Sequence, residues 1–407
     1  MSKKLEAFYG LPNEVKFCKK CVISNQRPNS AVEMKNKNIN KETIAFDDNG
    51  VCSACSFNIE KKEIDWKERE EKLFELLEPY RSNDGSYDVL VPSSGGKDSA
   101  FAAHILKYKY KMNPLAITWA PNMFTRAGWN NFNNLSRVGG IDSFLYTPNG
   151  KLHSYLTKLA FKNLGHPFQP FVHGQKIIGP KMAQKFGIKL IMYGENQAEY
   201  GNPLEDNKDP FMKPDFFTIE NPLEMILGGE KVENVINNTE FTLNDFGPYV
   251  PPTPQQIQKS DTKVTFLGYF EKWDPQECYY YAVDNTGFTP SYERSIGTYS
   301  RYTEIDDKIV PLHFYMTYIK FGIGRATYDA AQETRNGKIT RDEAIKLVQK
   351  FDGEFPQKYL NEYCEYLQIT EQEFYEIVDS FRSPHLWKKV NDEWKLRHTV
   401  AKDGTDD

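Results

Sequence analysis

Two groups of residues have the types and spacing to do chemistry. The first is a set of four early cysteines, Cys18-Lys-Lys-Cys21 and Cys52-Ser-Ala-Cys55; the remaining two, Cys278 and Cys364, stand alone. A two-residue gap lets both sulfurs of a pair, and the amides of the turn, face one metal ion. Two such pairs therefore predict a four-thiolate tetrahedral zinc site. A disulfide pair is the alternative in an oxidising compartment, and a redox pair would need a thioredoxin-like turn that neither pair occupies. The pairs lie further apart than is usual, which predicts that an insert, MKNKNINKETI at 34–44, loops out. The second group is Ser94-Gly95-Gly96-Lys97-Asp98-Ser99. It follows an apolar strand pattern, Tyr87–Pro92, and precedes a helical pattern through Ala103, Ile105 and Leu106. Strand, glycine turn and helix is the context in which backbone amides and a helix N-terminus cradle phosphate. Gly95 and Gly96 let the main chain approach the oxygens, Ser94 and Ser99 add hydroxyl donors, and Lys97 adds a charge. Asp98, in the first helical turn, is placed to reach Mg²⁺. The spacing is not that of a Walker loop.

The elements that must position these groups follow from the pattern across 86–200. Pro114–Trp119 reads as a second strand, a helix follows near Trp129–Val138, Ser143–Thr147 reads as a third strand, and Lys189–Tyr193 as a fourth. Alternating strands and helices predict an α/β fold, a doubly wound parallel sheet with ligands at its C-terminal edge. The fourth strand runs into Gly194-Glu195-Asn196-Gln197-Ala198-Glu199. Two carboxylates and two amides there are costly as filler, so this is a candidate site, with a solvated helix start as the alternative. Phe168–Gln175 reads as a loop rich in hydrogen-bonding groups, although a lone histidine such as His173 is more often structural.

Four regions result. Residues 1–85 form the cysteine module, of zinc-ribbon type, with a linking helix at Trp66–Tyr80. Residues 86–200 form the phosphate-loop domain. Residues 201–262, rich in Pro, Asn and Asp, read as an insert or lid carrying short helices. Residues 263–407 are a substrate-binding region with a helical subdomain, including an extra strand at Val264–Phe270. Phe314, Tyr318 and Phe321 lie at helical spacing, and Gly322, Gly324 and Arg325 close that helix with an anion contact open to Arg325. Thr340-x-x-Glu343 and Thr370-x-x-Glu373 read as capping boxes. The tail KDGTDD reads as frayed.

Composition bounds the function. The 407 residues carry 51 Lys+Arg against 56 Asp+Glu, a net charge of -5. Mean hydropathy is -0.64 and the isoelectric point near 5.9. This balance argues against a phosphate-neutralising surface for nucleic acid, and residues 1–85 hold equal numbers of acidic and basic side chains. No apolar run is long enough for a membrane helix, and MSKKLEAFYG lacks the apolar core of a signal peptide. The expectation is a soluble cytoplasmic protein without membrane contact. Aromatic residues reach 14%, enough for stacking surfaces, although most such rings simply fill a core.

The loop SGGKDS resembles the SGGxDS loop of the ATP-pyrophosphatase (adenine nucleotide alpha-hydrolase) superfamily. The resemblance implies ATP binding by Ser94, Gly95, Gly96, Lys97, Asp98 and Ser99, with cleavage between the α- and β-phosphates. It also implies adenine contacts from Ile117 and Trp119 at the end of the second strand, and from Gly194; Trp119 reads equally well as core. A wider pattern joins the cysteine pairs and VPSSGGKDS to PFQPFVHGQ, YGENQAEYG and the long block GTYSRYTEIDDKIVPLHFYMTYIKFGIGRATYDAAQETRNGKITRDEA. Together these closely resemble the bacterial N-acetyl sugar amidotransferase family of pseudaminic acid and acidic O-antigen sugar pathways. Membership would imply conversion of a sugar acetamido group, on an acceptor read as nucleotide-linked, to an acetamidino group. ATP, Mg²⁺ and Zn²⁺ would be the cofactors. Lys97, Asp98, Glu195, Asn196 and Glu199 would be catalytic, and Gln169, His173, Gln175, Tyr299, Lys320 and Arg325 would face the substrate. Neither Cys278 nor Cys364 sits on a nucleophile elbow, so ammonia would come from a separate glutaminase with a cyclase-like subunit. The rivals are a tRNA thiolation enzyme, which would need cysteines within the ATP domain where 56–277 has none, and a scaffold with an inactive loop.

Overall fold

The central sheet is built from short segments with little need of water. Every residue of β1 (Val89–Pro92) and β2 (Pro114–Trp119) is buried, whereas β3 (Asp142–Tyr146) is partly exposed. β4 (Leu190–Tyr193) is buried except at its last residue, Tyr193, which is half-buried. Continuous apolar burial is the pattern of parallel strands covered on both faces, and partial exposure marks an edge. The computed structural model describes residues 5–28, 42–200 and 209–402. Within it, a two-residue hairpin of β5 (Ile226–Leu227) and β6 (Glu230–Lys231) precedes β7 (Lys263–Phe266). The sheet order is β3-β2-β1-β4-β7 and every pairing in it is parallel. The chain steps outward from β1 to β2 and β3, then returns to the other side with β4. The loops after β1 and β4 therefore diverge at the C-terminal edge and leave a crevice between them.

Helices α1 (Ser53–Glu60) and α2 (Trp66–Leu77) lead from the cysteine module into the sheet. The crossovers are α3 (Lys97–Tyr108), α4 (Arg126–Arg137), α5 (Gly150–Leu164) and α6 (Gln169–Phe186). The expected loop at 168–175 is the first part of α6. Pro170 is tolerated in that helix's first turn, where its missing N–H has no helical partner to lose. Gly174 is there because a Cβ would lie 2.3 Å from the Trp119 indole. The residues that read as loop punctuation are thus a helix start and a packing contact.

Across 209–262, α7 (Val232–Asn238) and α8 (Pro254–Ser260) pack on the sheet, with Phe246 and Tyr249 fully buried in the same core as Trp119 and Ile191. The expected strand Val264–Phe270 ends at Phe266, and Leu267–Phe270 turns as α9. The turn brings the Gly268 amide onto the Gly194 carbonyl at 2.8 Å. The rest is helical: α10 (Pro275–Thr286), α11 (Val310–Phe321), α12 (Arg325–Arg335), α13 (Arg341–Phe351), α14 (Leu360–Leu367) and α15 (Glu371–Ser380). The Thr340 box closes in both directions, while at α15 the Thr370 side chain accepts from the Glu373 amide. A hairpin of β8 (Trp387–Val390) and β9 (Glu393–Leu396) follows, which the sequence reading missed. Its turn residues, Asn391 and Asp392, both hold positive φ, as the tightest hairpin turns require. Residues 34–41 of the expected loop-out and 403–407 of the tail lie outside the described residues. Among the described residues no helix is long and apolar enough to cross a membrane.

Candidate active site and candidate metal centre

The loop after β1 is shaped by its own side chains. The Ser93 hydroxyl accepts from the Gly95 amide at 3.1 Å and bonds the Ser99 hydroxyl at 3.0 Å, while Ser99 donates to the Gly96 carbonyl at 3.1 Å. Gly95 has φ +80, and a Cβ there would lie 2.6 Å from the Phe132 Cα on α4, so only glycine fits. Gly96 is the N-cap of α3 and offers no side-chain cap, which leaves the first amides of that helix free of side-chain acceptors. Uncapped amides at a helix start form a ready anion cradle. Lys97 is buried and its Nζ lies 2.5 Å from Asp98 Oδ2. Burial works against the Lys97 charge, but Asp98 outweighs it and the ammonium is held above its ordinary value. Asp98 Oδ1 is buried without a hydrogen-bond partner. An orphaned carboxylate oxygen on a phosphate loop fits a divalent cation, so Asp98 is suited to hold Mg²⁺.

The loop after β4 faces this one. Gly194 has room for no side chain: a Cβ would meet the Trp273 indole at 2.7 Å. Burial, then the neighbouring Asp98 carboxylate, pushes Glu195 up to about 7, against the pull of Lys97. A third carboxylate, Glu304, adds to the same effect. Glu304 lies more than 100 positions further along the chain and holds φ 44, uncommon for a glutamate. It ion-pairs with Arg325 at 2.7 Å. Its neighbour Asp306 faces the Ser94 hydroxyl, and burial raises its carboxyl to about 6. Glu304 and Asp306 were not singled out in the sequence. They sit in an ordinary-looking TEIDDK stretch, and only the long-range fold brings them here.

The structure does not gather all the expected residues at this crevice. Trp119 is 1% exposed and stacks on Tyr146, and Ile117 is equally buried; both side chains are core, so any adenine contact from this strand would come from main chain. Asn196 is buried and its Oδ1 accepts from the Ala198 amide at 3.1 Å, which folds the loop. Glu199 forms a buried ion pair with Lys61, whose Nζ also reaches the Trp273 carbonyl at 2.5 Å. Gln169 accepts from the Gly228 amide at 3.0 Å and so holds the 209–262 segment. His173 bonds the Tyr249 carbonyl at 2.8 Å, and burial lowers it to about 4, so it stays neutral. Gln175 lies half-buried on the same helix. The Tyr299 hydroxyl donates to Glu333 at 2.8 Å, and Lys320 is buried on the Leu164 carbonyl at 2.6 Å. Of the expected substrate residues, Arg325 alone has a link to the crevice, through Glu304. Cys278, on α10 against α3, is buried, and burial followed by the nearby Asp98 raises its thiol well above the ordinary value.

The four cysteines converge. All four sulfurs lie within 4.8 Å of one another, with Cys18–Cys55 at 3.9 Å and Cys21–Cys52 at 3.8 Å. These separations are far beyond a disulfide bond. They match the edge of a tetrahedron, roughly 3.8 Å, set by Zn–S bonds of about 2.3 Å. Amides of Lys20, Cys21 and Cys52 point at Cys18 Sγ at 3.4 to 3.5 Å. Arg341 donates to the Cys18 and Cys21 carbonyls from the start of α13. The donor set and spacing fit a structural zinc ion.

Residues 296–401 match the family described as "LPS biosynthesis protein WbpG-like, C-terminal domain". The C-terminal region thus resembles that of a lipopolysaccharide biosynthesis protein. The matched span includes Glu304, Asp306, Arg325, Arg335 and Arg341, so it supplies one wall of the crevice and two of the arginines at the cysteine centre. Over 77 residues the chain is 30% identical to an uncharacterized protein of Methanocaldococcus jannaschii, covering 19% of this chain and 27% of that protein. The chain thus spans about a quarter of that relative. The family match to the C-terminal region suggests a role in sugar or lipopolysaccharide biosynthesis.

Proposed function

We propose that the protein is an ATP-dependent amidotransferase that converts the acetamido group of an N-acetyl sugar into an acetamidino group, releasing AMP and pyrophosphate. The observation that carries this reading is the SGGKDS loop at the C-terminal edge of a parallel sheet, walled by carboxylates from a segment similar to a lipopolysaccharide biosynthesis domain. An amide oxygen is a poor leaving group, so it must be activated. Attack of that oxygen on the α-phosphate forms an O-adenylated imidate and expels pyrophosphate. Ammonia then adds to the imidate carbon and AMP leaves. The α3 amides and Lys97 receive the phosphate charge, and the two loops hold the amide oxygen in line with the α-phosphate. Glu195, raised to about 7, suits the general base that takes a proton from ammonium before its lone pair attacks. Mg²⁺ bound at Asp98 would screen the phosphates. Zinc at Cys18, Cys21, Cys52 and Cys55 would be structural, since four thiolates leave no open position. The buried Cys278 thiol favours a separate glutaminase, acting in the cytoplasm, as the ammonia source.

The test is incubation with ATP, Mg²⁺, ammonium and a panel of free and nucleotide-linked N-acetyl sugars. The reading expects AMP, pyrophosphate and a sugar lighter by the difference between O and NH. ADP and orthophosphate as products, or AMP formation indifferent to sugar and ammonium, would overturn it.

A further inference from the structure

β3 is the outer strand of the sheet, paired with β2 on one side and with no strand on the other among the described residues. The Tyr146 carbonyl accepts from the Ala120 amide, just past the end of β2. Main-chain groups alternate along a strand, so Asp142, Phe144 and Tyr146 bond inward, and Ser143 and Leu145 turn their N–H and C=O groups outward. Proteins commonly blunt such an edge with Lys, Pro or a bulge. Asp142–Tyr146 holds no Lys or Pro, and its register against β2 runs unbroken. Large apolar side chains gather at the same edge. On one face Phe144 meets Phe186, the last residue of α6. On the other, the Ser136 and Ser143 hydroxyls bond at 2.9 Å, which lays that side of α4 over β3. Trp129 stands seven residues before Ser136, about two turns, and so shares its side of the helix. Val138 is the C-cap of α4. Phe144, Phe186, Trp129 and Val138 are between 41% and 57% exposed. Single exposed apolar residues are ordinary, but a group of them beside unpaired main chain marks an interaction surface.

We propose that β3 pairs antiparallel with β3 of a second copy of this chain, across a two-fold axis at Phe144, and joins two five-stranded sheets into one. The strand is complementary to its own reverse. Ser143 faces Leu145 of the second copy and Leu145 faces Ser143, so the outward groups of both exchange hydrogen bonds, and Phe144 meets its own copy at the close, non-bonded position. Asp142 is the one charged residue of the strand. It already accepts from the Tyr87 hydroxyl at 3.0 Å, and the axis sets it against Tyr146 instead of another Asp142, so no like charges oppose. The helix runs back along the strand. Rises of about 1.5 Å per helical residue and about 3.3 Å per strand residue place Trp129 level with the Tyr146 end and Val138 beyond the Asp142 end. The axis therefore brings Trp129 of one copy toward Val138 of the other, apolar against apolar. This fit of the edge to itself selects a second copy over a different protein, and it is independent of the amidotransferase reading.

Sedimentation equilibrium of the full chain at micromolar concentration should give twice 47.2 kDa. Phe144→Lys sets two ammonium groups on the axis and should weaken the dimer at least about tenfold, and Trp129→Ala several-fold. Phe144→Cys supplies a test that needs no loss of binding: opposed Cα atoms at a non-bonded position lie about 4.5 Å apart, within disulfide range. Mild oxidation should link that variant into a dimer that reductant dissolves, while wild type and Tyr375→Cys, exposed on α15, stay unlinked. A monomer at every concentration, a dimer that Phe144→Lys leaves intact, or Phe144→Cys linking no faster than Tyr375→Cys would overturn the proposal. Should Phe144→Lys fail to fold by circular dichroism, the Phe144→Cys linkage decides alone.

Discussion

Lys61 and Glu199 form a buried ion pair, with side chains 4% and 5% exposed, between the end of α1 and the loop after β4. Replacing Lys61 by Met keeps the volume and strands the carboxylate. An unpaired buried carboxylate normally costs 3–5 kcal/mol of stability. Here a second route sets a ceiling, because Glu199 can take a proton instead. Burial already holds its pKa above the free value of 4.5, with Lys61 as the main opposing influence. Protonation costs about 1.4 kcal/mol for each pH unit above that free value, so about 3.4 kcal/mol at pH 7 and under about 1 kcal/mol at pH 5. The sign follows from the raised pKa: the native variant binds a proton that the unfolded chain has released, so its deficit against wild type shrinks as pH falls. Lys61→Met with Glu199→Gln removes the charge altogether and leaves only the Trp273 carbonyl without its donor, a loss of about 1–2 kcal/mol. Urea unfolding of wild type, both single variants and the double variant at pH 5 and pH 7 reads all of this. The reasoning fails if Lys61→Met stays within about 1 kcal/mol of wild type at pH 7, if its deficit is the same at both pH values, or if the two single losses simply add.

Three further outcomes are expected. Metal analysis should find one zinc per chain, and Cys21→Ser should lower the unfolding midpoint and the zinc content together while changing acceptor KM little; full thiol titration of untreated protein would contradict this. With ammonium held constant, turnover should rise with pH through about 7 as Glu195 loses its proton and then level off, because a base acts deprotonated; an unchanged profile in Glu195→Gln would remove Glu195 from that role. Glutamine supplied to the protein alone should release no glutamate, since burial keeps Cys278 as a thiol; release abolished by Cys278→Ala would show that the chain hydrolyses glutamine itself.

The parts of the fold that were legible are those whose cause is local. Two glycines between an apolar strand and a helical period fix the turn from β1 into α3, and paired cysteines fix the four-sulfur cluster, because each geometry is set within a few residues. The C-terminal edge of β4 was legible for the same reason: polar residues directly after buried Leu190–Met192 must turn into a crevice. The roles within that edge were not. Glu195 faces the loop, whereas Glu199 is claimed by Lys61, and nothing in the charged stretch KKEIDWKERE marks that lysine as the one that is buried. Trp119 was ambiguous because a strand-end indole can stack or fill; the 209–262 segment settles it by placing Tyr249 against the ring. Arg325 was expected near the site, but its partner Glu304 reaches the crevice only through contacts that no sequence period encodes.

The cysteine centre and the C-terminal region explain each other electrostatically. Four thiolates around one Zn²⁺ leave about two negative charges in a buried setting, which neutral surroundings would not tolerate. Arg335 stands beside Cys21, Cys55 and Cys52, whose charge outweighs the penalty of its own burial, and its Nη2 donates to the Glu199 carbonyl at 3.1 Å. Arg341 binds the knuckle carbonyls. Without ionised sulfurs Arg335 would be poorly compensated, so metal loading should tighten the docking of α12 on the cysteine module. The same α12 begins with Arg325 and ends with Arg335. One helix therefore connects the metal centre to the Glu304 wall of the crevice, and the Lys61–Glu199 pair fixes the loop after β4 from the other side. A metal ion bound by the four cysteines would thereby brace α12 and, through it, the Glu304 wall, and its loss should first appear as instability and only then as lost turnover.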